Sequence, residues 1–111
     1  MDTPDCIVDG ECRCATSEIF DLLGRKYALD VVCVVANHQR ARFGEIEAHL
    51  PAASSTTISS RLDELVDAGL IDRERYDEIP PRVEYAFTAE GRELSAALEP
   101  LARWVTEREA A

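Results

Sequence analysis

Two sets of residues in this chain are of types that could do chemistry. Near the start, Cys6, Cys12 and Cys14 make a C-x5-C-x-C pattern, and Cys33 follows further along. Such thiols can oxidise, or can ligate a metal or an iron–sulfur cluster. The second set is "SSTTISSRL", Ser54 to Leu62. Serine and threonine hydroxyls donate and accept hydrogen bonds, but they are weak helix formers because they compete for backbone groups. The apolar spacing around them nevertheless asks for a helix. These nine residues hold no acid and a single arginine, in a chain of formal net charge −10.

For the thiols three readings stay open. Cys14 could be a redox switch, resolved by Cys12, Cys6 or a cysteine of a second subunit, with oxidation shifting helix placement. Cys6, Cys12 and Cys14 could hold a metal or iron–sulfur cluster, although their spacing is not a CxxC pair. Or the cysteines only pack. The acids Asp2, Asp5, Asp9 and Glu11 oppose thiolate formation, whereas Arg13 favours it. Cys33, flanked by valines, reads as core. His38 and His49 lie beside a turn and near a helix end without metal-ligand spacing, and both read as surface residues. With no Gly-rich phosphate loop and no nucleophile–base pair, no enzyme is expected.

At 111 residues the chain suits one domain with a real core. It has no run of about 18 or more apolar residues, and its acidic start lacks the layout of a signal peptide. A cytoplasmic protein with no membrane partner is therefore expected. Of 12 basic residues only Lys26 is lysine, against 22 acids. That balance suggests selection for solubility at high salt, as in halophilic archaea. Residues 1–24 sum to −5, 63–72 to −4, 73–82 to zero and 83–111 to −3, but residues 25–62 sum to +2. The one positive segment ends in the hydroxyl-rich stretch.

The elements that must position these residues follow from periodicity. Thr16 or Ser17 caps a helix carrying Ile19, Leu22 and Leu23, which Gly24 ends. A second helix, from about Lys26 to Asn37, is apolar all round and so central. "NHQRAR" reads as a polar turn. Phe43, Ile46 and Leu50 mark a short helix stopped by Pro51. Ser54 or Ser55 caps the next, whose stripe is Ile58, Leu62, Leu65 and Val66, with Gly69 closing it. "LIDRERY" and "RVEYAFT" alternate as strands, with the prolines of "DEIPPR" at the hairpin tip. Thr88 caps a last helix through Leu94, Leu98, Leu101, Trp104 and Val105, which Pro100 should kink or restart.

The fold class expected is mostly α with a small β-hairpin wing (α+β): an acidic, cysteine-containing arm over 1–13, then a winged helix-turn-helix domain over 14–111. Such a module lays its second helix in the DNA major groove, which accounts for the hydroxyl-rich stretch. Hydroxyls can bond phosphates or either kind of base edge, and an acid there would be repelled. The expected DNA-binding residues are Ser54, Ser55, Thr56, Thr57, Ser59, Ser60 and Arg61, with Arg73, Arg75 and Arg82 on the ribbon. Arg61 could instead pair with Glu64 at i+3. The partner is double-stranded DNA. The rival reading is a winged-helix protein-interaction module that no longer holds DNA, motivated by the acidic 63–72 segment and by the lack of lysine on the module's second helix.

The chain also resembles the HxlR-type winged helix-turn-helix transcriptional regulators, over about residues 14–105. "YDEIPPRVEYAFTAEG", Tyr76 to Gly91, is similar to the family's wing signature. "SRLDELVDAGLIDR" matches its recognition helix and exit, and "FDLLGRKYALDVV" its second helix, with Tyr27 where tryptophan is usual. The resemblance implies a homodimer reading a palindromic operator. Terminal helices would form the interface, here Leu94, Leu98, Leu101, Trp104 and Val105. It also implies that Ser54 to Arg61 read DNA and that Arg82 is a wing contact. Cys14 would match a thiol that senses oxidants in some relatives, although the usual following proline is Ala15 here. Lysine or glutamine is frequent in the family where Ser55, Thr56 and Ser60 stand.

Overall fold

The computed structural model describes residues 17–110, together with the backbone of two short N-terminal strands. These are β1 (Ile7–Val8) and β2 (Glu11–Cys12), paired antiparallel. Then follow α1 (Glu18–Leu23), α2 (Ala28–His38), β3 (Arg40–Arg42), α3 (Phe43–His49), α4 (Ser55–Asp67), β4 (Ile71–Tyr76), β5 (Arg82–Phe87) and α5 (Ala89–Ala110). Beyond β1 and β2, the strands form one antiparallel sheet in the order β3-β5-β4.

The core lies where α2, α3 and α4 meet the sheet. Val31, Val35, Ile46, Ile58, Leu62, Leu65 and Ile71 are fully buried. As expected, α2 is the central helix, burying Ala28, Val31, Val32, Val34 and Val35. Cys33 corrects the expectation of a core thiol, because it is exposed. The four valines on either side of it take the inward arc of the 3.6-residue turn, and Cys33 falls between them on the outer one.

Capping follows the sequence closely. Ser17 caps α1 by accepting from the Phe20 N–H at 3.3 Å. Ser54 caps α4 by accepting from the Thr57 N–H at 3.1 Å. At the other end of α4, Gly69 takes φ +79°, its N–H reaches the Val66 carbonyl, and the Leu70 N–H reaches that of Leu65. This paired closure turns the chain into β4 and favours glycine at the left-handed position. Thr88 fastens the start of α5 to the same corner: its Oγ1 donates to the Gly69 carbonyl at 2.6 Å and accepts from the Gly91 N–H at 3.0 Å. A Cβ on Gly91 would lie 1.9 Å from the Leu70 carbonyl oxygen, so only glycine lets α5 approach there.

Two further expectations need correction. The "NHQRAR" segment is not wholly a turn: Arg40, Ala41 and Arg42 pair with Ala86, Tyr85 and Glu84 as the third strand. Only Ala41 of the three points inward, so the run is too short and too polar to announce its period. The reversal before it is confined to Gln39, at φ 62°. Also, of the kink or restart expected at Pro100, the restart does not occur: α5 runs through the proline as one helix. Proline removes a single backbone hydrogen bond, and Ala96 and Ala97 one turn earlier are exposed, which leaves the freed carbonyl open to solvent.

Candidate nucleic-acid interface

α3, the turn after it and α4 form a helix-turn-helix, and β4 and β5 form the wing beside it. The turn is closed by backbone bonds from Leu50 to Glu47 and from Ala53 to Leu50. α3 is set at its start by Glu45, whose Oε1 accepts from the Arg42 N–H at 2.8 Å. α4 is joined to α3 by a hydrogen bond from the Ser55 hydroxyl to Glu47.

Ile58, Leu62 and Leu65 turn the inner face of α4 into the core. Its hydroxyl residues then divide into two groups. Ser54 and Thr57 are engaged with each other, Ser54 Oγ donating to Thr57 Oγ1 at 2.9 Å, and Ser55 is held by Glu47. Thr56, Ser59 and Ser60 are exposed, and among the described residues their side chains have no hydrogen-bond partner. At i, i+3 and i+4 these three share one stripe facing away from the core.

Arg61 is not on that stripe. Its side chain is 18% exposed, with NH1 on Glu64 at 2.6 Å and Nε donating to the Lys26 carbonyl at 2.9 Å. The i+3 pairing is therefore the one the structure contains. Glu64 is also paired with Arg25, whose guanidinium pKa is raised, above all by Glu64.

The wing arginines are mostly neutralised within the chain. Arg73 pairs with Asp63 of α4 and lies 5.6 Å from the Tyr85 ring centroid. Arg82 stacks 4.3 Å above Tyr76 and lies 3.1 Å from Glu78 and 3.3 Å from Glu84. Arg40, missed in the sequence, reaches Glu74 at 3.2 Å. Glu74 has its carboxyl pKa lowered, first by the Tyr76 hydroxyl at 2.8 Å and then by Arg40. Arg75 is exposed and forms no ion pair among the described residues, as are Arg42 and Lys26. Neither Lys26 nor Arg42 was singled out from the sequence; both sit in segments that read as a helix start and a turn.

The helix stripe of α5 splits as well. Leu94 and Leu98 pack against the chain's own core. Leu101, Trp104 and Val105 are exposed, Trp104 by 53% with Arg108 above its ring. Ile19 and Phe20 of α1 are exposed apolar residues too.

Cys6 and Cys14 lie outside the described residues, as does the side chain of Cys12, so the thiol and metal readings there stay expectations. Cys33 borders a groove between α2 and α5 lined by Val32, Ala36, Leu98 and Ala102. Partial desolvation against that groove, then Asp30, pushes the exposed thiol's pKa up. Among the described residues, no helix is long and apolar enough to cross a membrane.

A helix-turn-helix with a β-ribbon at its side defines a winged-helix protein. The model of the "HxlR-like helix-turn-helix" family matches residues 22–111. An uncharacterized HTH-type transcriptional regulator of Methanothermobacter thermautotrophicus is 34% identical over 100 residues, spanning 90% of this chain and 76% of that protein. Among solved structures, a possible HxlR-family transcriptional factor from Thermoplasma volcanium has a TM-score of 0.78 at 29% identity, covering 90% of this chain and 89% of that one. The redox regulator HypR in its reduced form has a TM-score of 0.71 at 26% identity, covering 82% and 89%. The chain belongs to the HxlR-like helix-turn-helix family, and the regulators it resembles share its fold.

Proposed function

We propose that this chain is a homodimeric, sequence-specific DNA-binding transcriptional regulator whose DNA affinity is switched by oxidation at Cys14. The observation that carries the DNA reading is the outer stripe of α4. Thr56, Ser59 and Ser60 present unengaged hydroxyls, while the acids of the following turn, Asp63 and Glu64, are held by Arg73 and by Arg25 and Arg61. Hydroxyls so placed suit base edges and phosphates in a major groove. That pairing covers two of the four acids of the 63–72 segment; Asp67 and Asp72 form no ion pair among the described residues, and they are what a DNA-free interaction module would rest on.

In this reading Ser54, Thr57 and Ser55 set the helix start rather than read bases, and Arg61 positions α4 from behind. Arg75 and Arg42 serve the phosphate backbone, with Arg73 and Arg82 shaping the wing. Leu101, Trp104 and Val105, with Ile19 and Phe20, bury themselves against a second copy. The redox component is supported by the likeness to HypR and by the cysteine-rich arm.

Electrophoretic mobility shift with DNA from upstream of its own gene, under reducing and then mildly oxidising conditions, tests the whole reading. Reduced and oxidised protein should differ in binding, and C14S should bind alike in both.

A further inference from the structure

His38 and His49, which carry no metal-ligand signature in sequence, meet in space. The last residue of α2 and the last of α3 bring their Nε2 atoms to 3.1 Å, with ring planes at 71°. We propose that this pair is a binding site for an imidazole-preferring divalent transition metal of the Ni2+, Cu2+ or Zn2+ class. Two nitrogens 3.1 Å apart, each about 2.0–2.1 Å from an ion, subtend about 95–100° there, a bent two-imidazole chelate.

The surroundings fit the same role. Glu45 Oε2 lies 3.7 Å from His38 Nδ1, the ring nitrogen opposite the one turned to His49. That is longer than a hydrogen bond; closing it would let the carboxylate fix the tautomer of a ligating imidazole and raise its basicity. Glu45 is itself oriented, because its other oxygen accepts from the Arg42 N–H at 2.8 Å. It stands one helical turn before His49, so α3 supplies both a ligand and the supporting carboxylate. Arg40, the nearest cation in sequence to His38, is turned to Glu74 and Glu84. His49 is exposed and His38 half-buried, leaving an entry path. Among the described residues no group of three or more donors converges, so water completes the coordination. An ion here clips the end of the first helix-turn-helix helix to the central helix of the core. Neutral imidazoles sharing an N–H···N hydrogen bond would sit equally close, and the experiment separates the two.

Ni2+ is titrated calorimetrically into the full chain, its thiols alkylated with iodoacetamide, near neutral pH. One ion per chain is expected. H38Q and H49Q should each weaken binding more than about tenfold, and E45Q by about tenfold. Paramagnetic broadening of NMR signals should centre on the ends of α2 and α3 in wild type, showing that the folded chain binds. No uptake, uptake that survives either histidine substitution, or broadening centred elsewhere overturns the proposal. The outcome is independent of whether α4 reads DNA.

Discussion

Asp63, on the outer face of the recognition helix, is ion-paired with Arg73 on the first strand of the wing. An acid one turn beyond Ser59 and Ser60 would repel a phosphate backbone, and the wing supplies the charge that masks it. The pair also fixes the wing beside the helix it works with.

This predicts a specific pattern of rescue. R73A should weaken DNA binding, because it leaves Asp63 uncompensated, while changing stability by no more than about 1 kcal/mol, as for exposed ion pairs. Adding D63N should recover most of the loss in a fluorescence-anisotropy titration. An Arg73 that acted by touching phosphate directly would show no such recovery.

The exposed half of α5 leads to a second prediction. W104E combined with L101E should turn a dimer into a monomer in sedimentation equilibrium, with the helix content of the chain retained. DNA affinity should fall steeply in the same variant, since two half-sites one turn apart, about 34 Å, need two linked helices. A double variant that remains dimeric would place the interface elsewhere.

Thiol chemistry can be divided by position. Cys33 has its pKa raised by partial desolvation and by Asp30, so less of it is thiolate at neutral pH and it should react slowly. C33S is therefore expected to leave the response to a mild thiol oxidant unchanged, and C14S to abolish it. Mass spectrometry of the oxidised chain should find modification at Cys14 before Cys33.

Salt should act in an unusual direction for a DNA-binding protein. Long-range repulsion from a −10 chain opposes binding at low ionic strength, and at molar salt the Debye length is only about 3 Å. Binding should therefore survive molar KCl far better than that of a basic repressor, whose affinity falls with every counterion released. A steep loss of affinity on adding KCl would contradict this.

Much of the architecture was legible in the sequence because its signals are local. Ser17, Ser54, Gly69 and Thr88 each stand at the cap or closure they announce, and the Ile58–Leu62–Leu65 stripe faces the core as its spacing requires. What escaped the sequence depends on tertiary partners. β3 is a strand only because β5 lies beside it, and Cys33 is exposed because its four neighbouring valines already fill the inner arc. The same holds at the proposed interface with DNA. Nothing in "SSTTISSRL" tells Ser55, tied to Glu47, from the unengaged Ser59, and the i+3 spacing of Arg61 and Glu64 does not reveal the Lys26 carbonyl that completes the clamp.

The central claim is that the unengaged hydroxyls of α4 read DNA. The most direct test selects binding sites from random DNA with the wild-type chain and with a T56A/S59A/S60A variant. Wild type should enrich a palindrome with half-sites about 10 base pairs apart, centre to centre, and the folded variant should lose that enrichment. A variant that recovers the same palindrome with unchanged affinity, or a wild type that enriches none, would contradict the account.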